Sequence, residues 1–347
     1  MNSINKPAYF QPPVESETNS IQMLSKLWAK KYVQKLIEPE DAWEANSKGM
    51  RAITAQRLLQ SLRAISIQAW TKTEALLSQE VKRHGINYKL IDPWEIARDV
   101  HDIYEEVLLA YAAQAAPQRL CVSISTKLGR IRQKYTKIDS RVIAFVNMQF
   151  HYSGKLLLDS LSKQDQVTVN DYFRIIDDHL YMPLQRAYEA AANHDYNSPT
   201  LEIVRQMLPA HREIARKIAT RMIELYPNHR CFSGSLSEPT VKISSIRDIE
   251  MFQIYLWVCL LENSIAAIEH ELFPLCVMLY PTLNVRWEMV RQMLHLMSIE
   301  LRKRLELPQV SLLLPYFQVL WEMFSPEVFP DKLEDEDLGN SAGYRCS

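Results

Sequence analysis

Asp92-Pro-Trp-Glu-Ile-Ala-Arg-Asp-Val-His-Asp-Ile-Tyr-Glu-Glu-Val-Leu-Leu-Ala-Tyr-Ala-Ala-Gln-Ala-Ala-Pro117 decides the fold class of this 347-residue chain. Asp92 stands where an N-cap side chain accepts free backbone N–H groups, Pro93 takes the first helical position, and Glu95 supplies the acid of a capping box. The helix then runs to about Ala116, where Pro117 stops it. The same punctuation recurs outward in both directions. Gly85 closes a long helix over Met50 to His84, Ser198-Pro199 with Glu202 opens another, and Pro227, Pro281 and Pro308 fall between periodic segments. Further helices are read over 20–37, with Ile21, Leu24, Leu27, Trp28, Tyr32 and Leu36 on one side, and over 118–137, 140–161, 167–193, 199–226, 245–261, 264–280, 284–306 and 309–324. The expected fold is all-α, a multi-helix bundle or a short α-solenoid-like array.

Composition narrows the function classes. Only seven glycines occur, against the roughly 7% of an average chain, and no two stand close enough to build a phosphate-cradling loop. With 47% hydrophobic residues, 23% charged residues and a formal charge of −1, the chain is globular and carries no general attraction for nucleic acid. The five cysteines (Cys121, Cys231, Cys259, Cys276, Cys346) are odd in number and form no CxxC pair, so they read as reduced thiols of a cytoplasmic protein. No secretory signal is evident at the N-terminus, and the strongest apolar run, Met251 to Leu261, is too short to cross a bilayer, which makes it a buried helix.

The domain reading places an N-terminal tail at 1–18, helical regions at 19–161 and 162–325, and an acidic tail at 326–347. The second region contains an echo. Glu202-Ile-Val-Arg-Gln-Met-Leu208 returns as Glu288-Met-Val-Arg-Gln-Met-Leu294, with Arg216-Lys217 matching Arg302-Lys303, and Ile176 to Leu184 resembles Ile268 to Leu275. Two readings stand: a duplicated unit at about 176–218 and 268–304, or a chance match between amphipathic helices. The breaker-rich stretch 227–242 reads as an ordinary connection rather than a functional loop.

Chemical motifs are absent where they can be searched. No position three before any of the nine histidines holds Glu, which excludes the paired Glu-x-x-His of helical di-iron sites. HExxH, GxSxG, Walker and GxGxxG patterns are missing as well. Asp177-Asp178-His179 lacks the third acid of an aspartate-rich magnesium motif, Tyr181 standing in its place, and His179 and His270 read as inward histidines bonded to backbone. Glu95, Asp99, Asp102 and Glu106 share one helix face, read as solvated. No catalytic residue, metal ligand or cofactor is expected.

One surface feature remains. Between Glu106 and Asp139 there is no acid, and Lys127, Arg130, Lys134, Lys137 and Arg141 fall three or four residues apart, a basic stripe if the helix runs unbroken through Gly129 and Asp139. Such a stripe is either a solvated face or a docking site. As a docking site it suits an acidic protein better than nucleic acid, Tyr135 being the only interleaved aromatic. The chain's own acidic residues 327–337 are one candidate to cover it.

Arg141-Val-Ile-Ala-Phe-Val-Asn-Met-Gln-Phe-His-Tyr152, Ile176-Asp-Asp-His-Leu-Tyr-Met-Pro-Leu-Gln-Arg-Ala-Tyr188 and Lys242-Ile-Ser-Ser-Ile-Arg-Asp-Ile-Glu-Met-Phe252 resemble a soluble, all-helical family of cyanobacteria to which no activity is attached. The resemblance implies a cytoplasmic protein of regulatory or assembly character. The residues alone lead to a non-enzymatic interaction protein (scaffold, adaptor or regulator). Second stands a helical pocket for an apolar ligand or pigment, lined by Trp257, Phe273, Met278, Tyr280, Trp287, Met293 and Met297, and third a helical metal-dependent enzyme.

Overall fold

The structure, a computed structural model, describes residues 26–29 and 48–330. These fold into twelve α-helices and one minimal β-ladder. In chain order the helices are α1 (Lys48–Arg83), α2 (Pro93–Ala112), α3 (Pro117–Thr136), α4 (Ile143–Asp159), α5 (Lys163–Tyr181) and α6 (Leu184–Ala192). They continue as α7 (Pro199–Met207), α8 (His211–Leu225), α9 (Pro239–Glu262), α10 (Phe273–Leu279), α11 (Trp287–Arg302) and α12 (Leu307–Met323). The fold is all-α. The sequence expectations for residues 1–18, most of 20–37 and the acidic stretch from 331 onward lie outside the described residues.

Local chemistry sets the helix ends. The Asp92 carboxylate accepts the N–H groups of Trp94 (2.9 Å) and Glu95 (3.3 Å). Pro117, Pro199 and Pro239 begin α3, α7 and α9, positions whose N–H has no helical acceptor in any case. Internal prolines cut two segments that apolar periodicity reads as continuous. The 167–193 segment divides into α5 and α6 at Met182-Pro183, and 199–226 divides into α7 and α8 at a 3₁₀ turn containing Pro209, because a proline has no N–H to continue the ladder. The 264–280 segment enters α10 through a π-helical turn, Ile268–Leu272, directly before Pro274.

The helices close around a single hydrophobic cluster whose members run from Trp28 to Phe324. α1 packs along α2 and α4, α3 against α5 and α6, and α8 between α9 and α11. At the centre lies α9, in which residues 249–261 are buried without a break. Among the described residues no helix is long and apolar enough to cross a membrane. Two mid-helix glycines mark where helices approach most closely. A Cβ at Gly129 in α3 would lie 2.6 Å from Gln185 of α6, and one at Gly154 in α4 would collide with the hydroxyl of Tyr104, which donates to the Phe150 carbonyl.

The echoed segments differ in local structure. The first copy bends at Pro209 between α7 and α8, whereas its counterpart lies within the unbroken α11. His179 is buried with Nδ1 2.8 Å from the Ile175 carbonyl, while His270 points out with 70% of its side chain exposed.

Candidate ligand-binding cavity

The first half of α9 serves a different purpose from its buried second half. Val241, Ser244, Ser245, Arg247, Asp248 and Met251 face a cavity of about 790 Å³. Opposite stand Lys72, Gln79 and Glu80 of α1 and His151, Tyr152 and Lys155 of α4. Tyr181, at the end of α5, and Cys276 and Tyr280 complete the inner wall.

The rim is built by the 227–242 stretch, which carries the ladder of β1 (Arg230–Cys231) and β2 (Gly234–Ser235). Cys231, Phe232 and Ser233 line the cavity, so this stretch is part of the site as well as a connection. It is clipped to the 281–285 turn by three hydrogen bonds. The Phe232 N–H donates to the Leu283 carbonyl (2.9 Å), the Asn284 amide to the Arg230 carbonyl (2.6 Å), and His229 Nε2 lies 2.8 Å from the Asn284 carbonyl. Asn284 holds φ at 55°, a left-handed conformation that asparagine tolerates better than most residues.

At the inner end the Arg247 guanidinium stands near two carboxylates and pairs with one of them, Asp177. Arg247 lies over the Tyr181 ring, 3.8 Å from its centroid, and its Nη1 donates to Asp177 Oδ2 at 3.2 Å, with His151 Nδ1 4.0 Å from the same oxygen. Asp248 is half-buried and opens onto the cavity, and among the described residues its carboxylate accepts no hydrogen bond. Burial pushes its pKa up to about 6, with Arg247 opposing the shift. Burial likewise raises the Tyr181 and Tyr280 phenols and the Cys231 and Cys276 thiols. Neither thiol is therefore a thiolate near neutrality, which leaves no activated sulfur nucleophile in the cavity.

A smaller apolar annex of about 80 Å³ opens beside the chamber, walled by Met222 and Ile223 of α8, by Met289, Val290 and Met293 of α11, and by Leu236. Cys231, Ser245, Asp248, Tyr280 and Val285 belong to both spaces, so Asp248 stands at the neck between them.

The residues singled out from sequence divide between core and cavity. Tyr280 and Met293 line these spaces, whereas Trp257, Met278 and Met297 are core. Phe273 and Trp287 join an aromatic cluster with Phe324 and Phe329, Trp287 stacking on Phe329 at 4.0 Å. Asp177 turns to Arg247, and the buried Asp178 lies 3.6 Å from Arg174. Arg247, Asp248 and His151 carry no motif that marks them in the sequence. The segments 141–152, 176–188 and 242–252 each contribute to this one cavity, through His151 and Tyr152, Tyr181, and Arg247 and Asp248 respectively.

The basic stripe meets the acidic face of α2. Lys127 pairs with Glu106 (3.1 Å), and Lys134 with Glu95 (2.9 Å) and Asp99 (2.8 Å). α3 runs unbroken through Gly129 but ends at Thr136. Arg141 accordingly leaves the stripe and binds Asp139 (2.7 Å) and the His84 carbonyl (2.8 Å). Arg130 and Lys137 form no ion pair among the described residues.

No protein-family model, curated protein or solved structure matches this chain.

Proposed function

We propose that this chain is a small-molecule-binding protein and that its ligand occupies the chamber between α1, α4, α9 and the hairpin. One observation carries the reading: a cavity of about 790 Å³ has, at its inner end, a carboxylate that accepts no hydrogen bond from the described residues. Pockets of several hundred cubic ångströms, largely apolar with a few convergent polar groups, are what proteins use to hold small organic molecules. The scaffold reading has less to draw on, since Lys127, Lys134 and Arg141 are engaged internally and, among the described residues, Arg130 and Lys137 are the stripe positions that form no ion pair.

Native mass spectrometry of gently purified protein, alone and after incubation with a metabolite extract, tests this reading. Wild type is expected to carry or acquire a small molecule. Ser245→Phe, which fills the wall shared by chamber and annex, should remain folded and lose it. A wild-type protein that takes up nothing refutes the reading.

A further inference from the structure

Asp248 stands where the polar chamber narrows into the apolar annex, and its surroundings specify what it should meet. The half-buried Asp248 carboxylate opens onto the cavity and receives no donor from the described residues, so a ligand that displaces the water there must itself supply donors or a counter-charge. Its charged neighbour Arg247 already donates to Asp177 and lies on the Tyr181 ring. The one guanidinium beside both carboxylates thus pairs with Asp177 and leaves Asp248 without an ion pair among the described residues. The other titratable groups around Asp248 are Tyr181 of α5, Cys276 and Tyr280 on the α10 side, and Cys231 of the hairpin, while the exposed Lys242 lies on the annex wall. Lys72 and Lys155 face only the chamber and are exposed. Beyond Asp248 the annex offers Met222, Met289 and Met293, flexible and polarizable side chains that adapt to a compact apolar group.

We propose that the ligand is a compact apolar amine, its ammonium donating to the Asp248 carboxylate and its hydrocarbon end lodged among the annex methionines. This rests on the cavity being a ligand site. The ammonium supplies the donors and the positive charge that Asp248 lacks, and the annex takes the only part of such a molecule that avoids water.

Titration calorimetry with 2-phenylethylamine, 3-phenylpropionate and ethylbenzene, on wild type and Asp248→Asn, tests the assignment. The amine should bind at least about tenfold more tightly than the acid or the hydrocarbon, a preference worth about 1.4 kcal/mol. Asp248→Asn should lose that preference while still accepting ethylbenzene. Met289→Trp, which fills the annex, should weaken the amine and the hydrocarbon alike. Amine affinity should also fall between about pH 7 and pH 5 as the Asp248 carboxylate takes up its proton, and stay flat over that range in Asp248→Asn. Equal affinity for the three probes, or an amine preference that survives Asp248→Asn, overturns the amine assignment and leaves the cavity reading standing. A wild type that binds none of the probes and carries no native ligand overturns both.

Discussion

At the scale of single residues, Asp248 costs the fold stability whenever it is ionised. Its folded pKa is raised, by burial first and with Arg247 opposing, to about 6, against about 3.9 in an unfolded chain. The folded state therefore holds the proton more tightly than the unfolded state. The contribution of this group to stability falls as pH rises from about 4 to 6, and the deficit is complete above that window. Two pKa units correspond to roughly 2–3 kcal/mol. Asp248→Asn is thus expected to stabilise the protein at neutral pH by about 2 kcal/mol, with the gain fading toward pH 4. Urea denaturation across that range reads it, and a gain independent of pH would contradict the assignment. Nothing about Asp248 could be foreseen from the sequence, because a carboxylate on a helix looks the same whether the turn faces water or a cavity. The N-cap of Asp92, by contrast, depends only on residues three or fewer positions away, and it was legible.

At the scale of elements, charge holds helices together where apolar periodicity says nothing. The buried Arg132 of α3 donates to Glu271 of the π-helical turn (2.8 Å) and to the Tyr255 hydroxyl (2.7 Å) of α9, and also to the Leu180 carbonyl of α5. Arg186 of α6 reaches Glu271 and, through two bonds, Glu262 of α9 (2.6 and 2.7 Å). Burial pushes the Glu271 carboxyl up, but Arg132 and Arg186 outweigh it and hold the group below the ordinary glutamate value. Its stabilisation is present above the unfolded pKa and lost as pH falls through the lower folded one. Glu271→Gln should cost about 3 kcal/mol at neutral pH, because it leaves two guanidinium groups short of a partner, and the cost should shrink in strong acid. A thermal shift no larger than that of an exposed pair would refute this role. The hairpin clip makes a second prediction at this scale. Asn284→Ala forces a β-carbon without amide compensation into a left-handed conformation and removes the bond to Arg230, for about 1–2 kcal/mol. The Phe232 amide should then exchange its hydrogen faster, while amides in the buried part of α9 keep their protection. Sequence reading failed at this scale where two elements had to be considered at once. The acidic face of α2 and the basic face of α3 were each visible, but that they face one another is a fact of packing.

Across the whole molecule, a division of the chain into 19–161 and 162–325 separates segments that share one hydrophobic cluster. α3, from the first segment, packs on α5 and α6 of the second, and the Arg132–Glu271 pair crosses the same line. Heat is therefore expected to unfold the described body in one transition, with calorimetric and van't Hoff enthalpies in agreement. Two resolved transitions would show that the halves fold independently. The all-α class was legible because caps, prolines and periodicity are local. The cavity was not, since its wall comes from segments more than a hundred residues apart, Lys72 and Tyr280 among them.

The position of α9 limits how this protein can diversify. One rod is both the centre of the core and the floor of the cavity, and wall positions such as Arg247 and Asp248 adjoin the run 249–261 that is buried without a break. A lineage that altered the floor would risk its foldedness with each trial. The hairpin and the exposed Lys72 and Lys155 touch the same space while contributing little to the core. Substitutions that reshape the cavity are thus expected to be tolerated at the rim and costly at the floor.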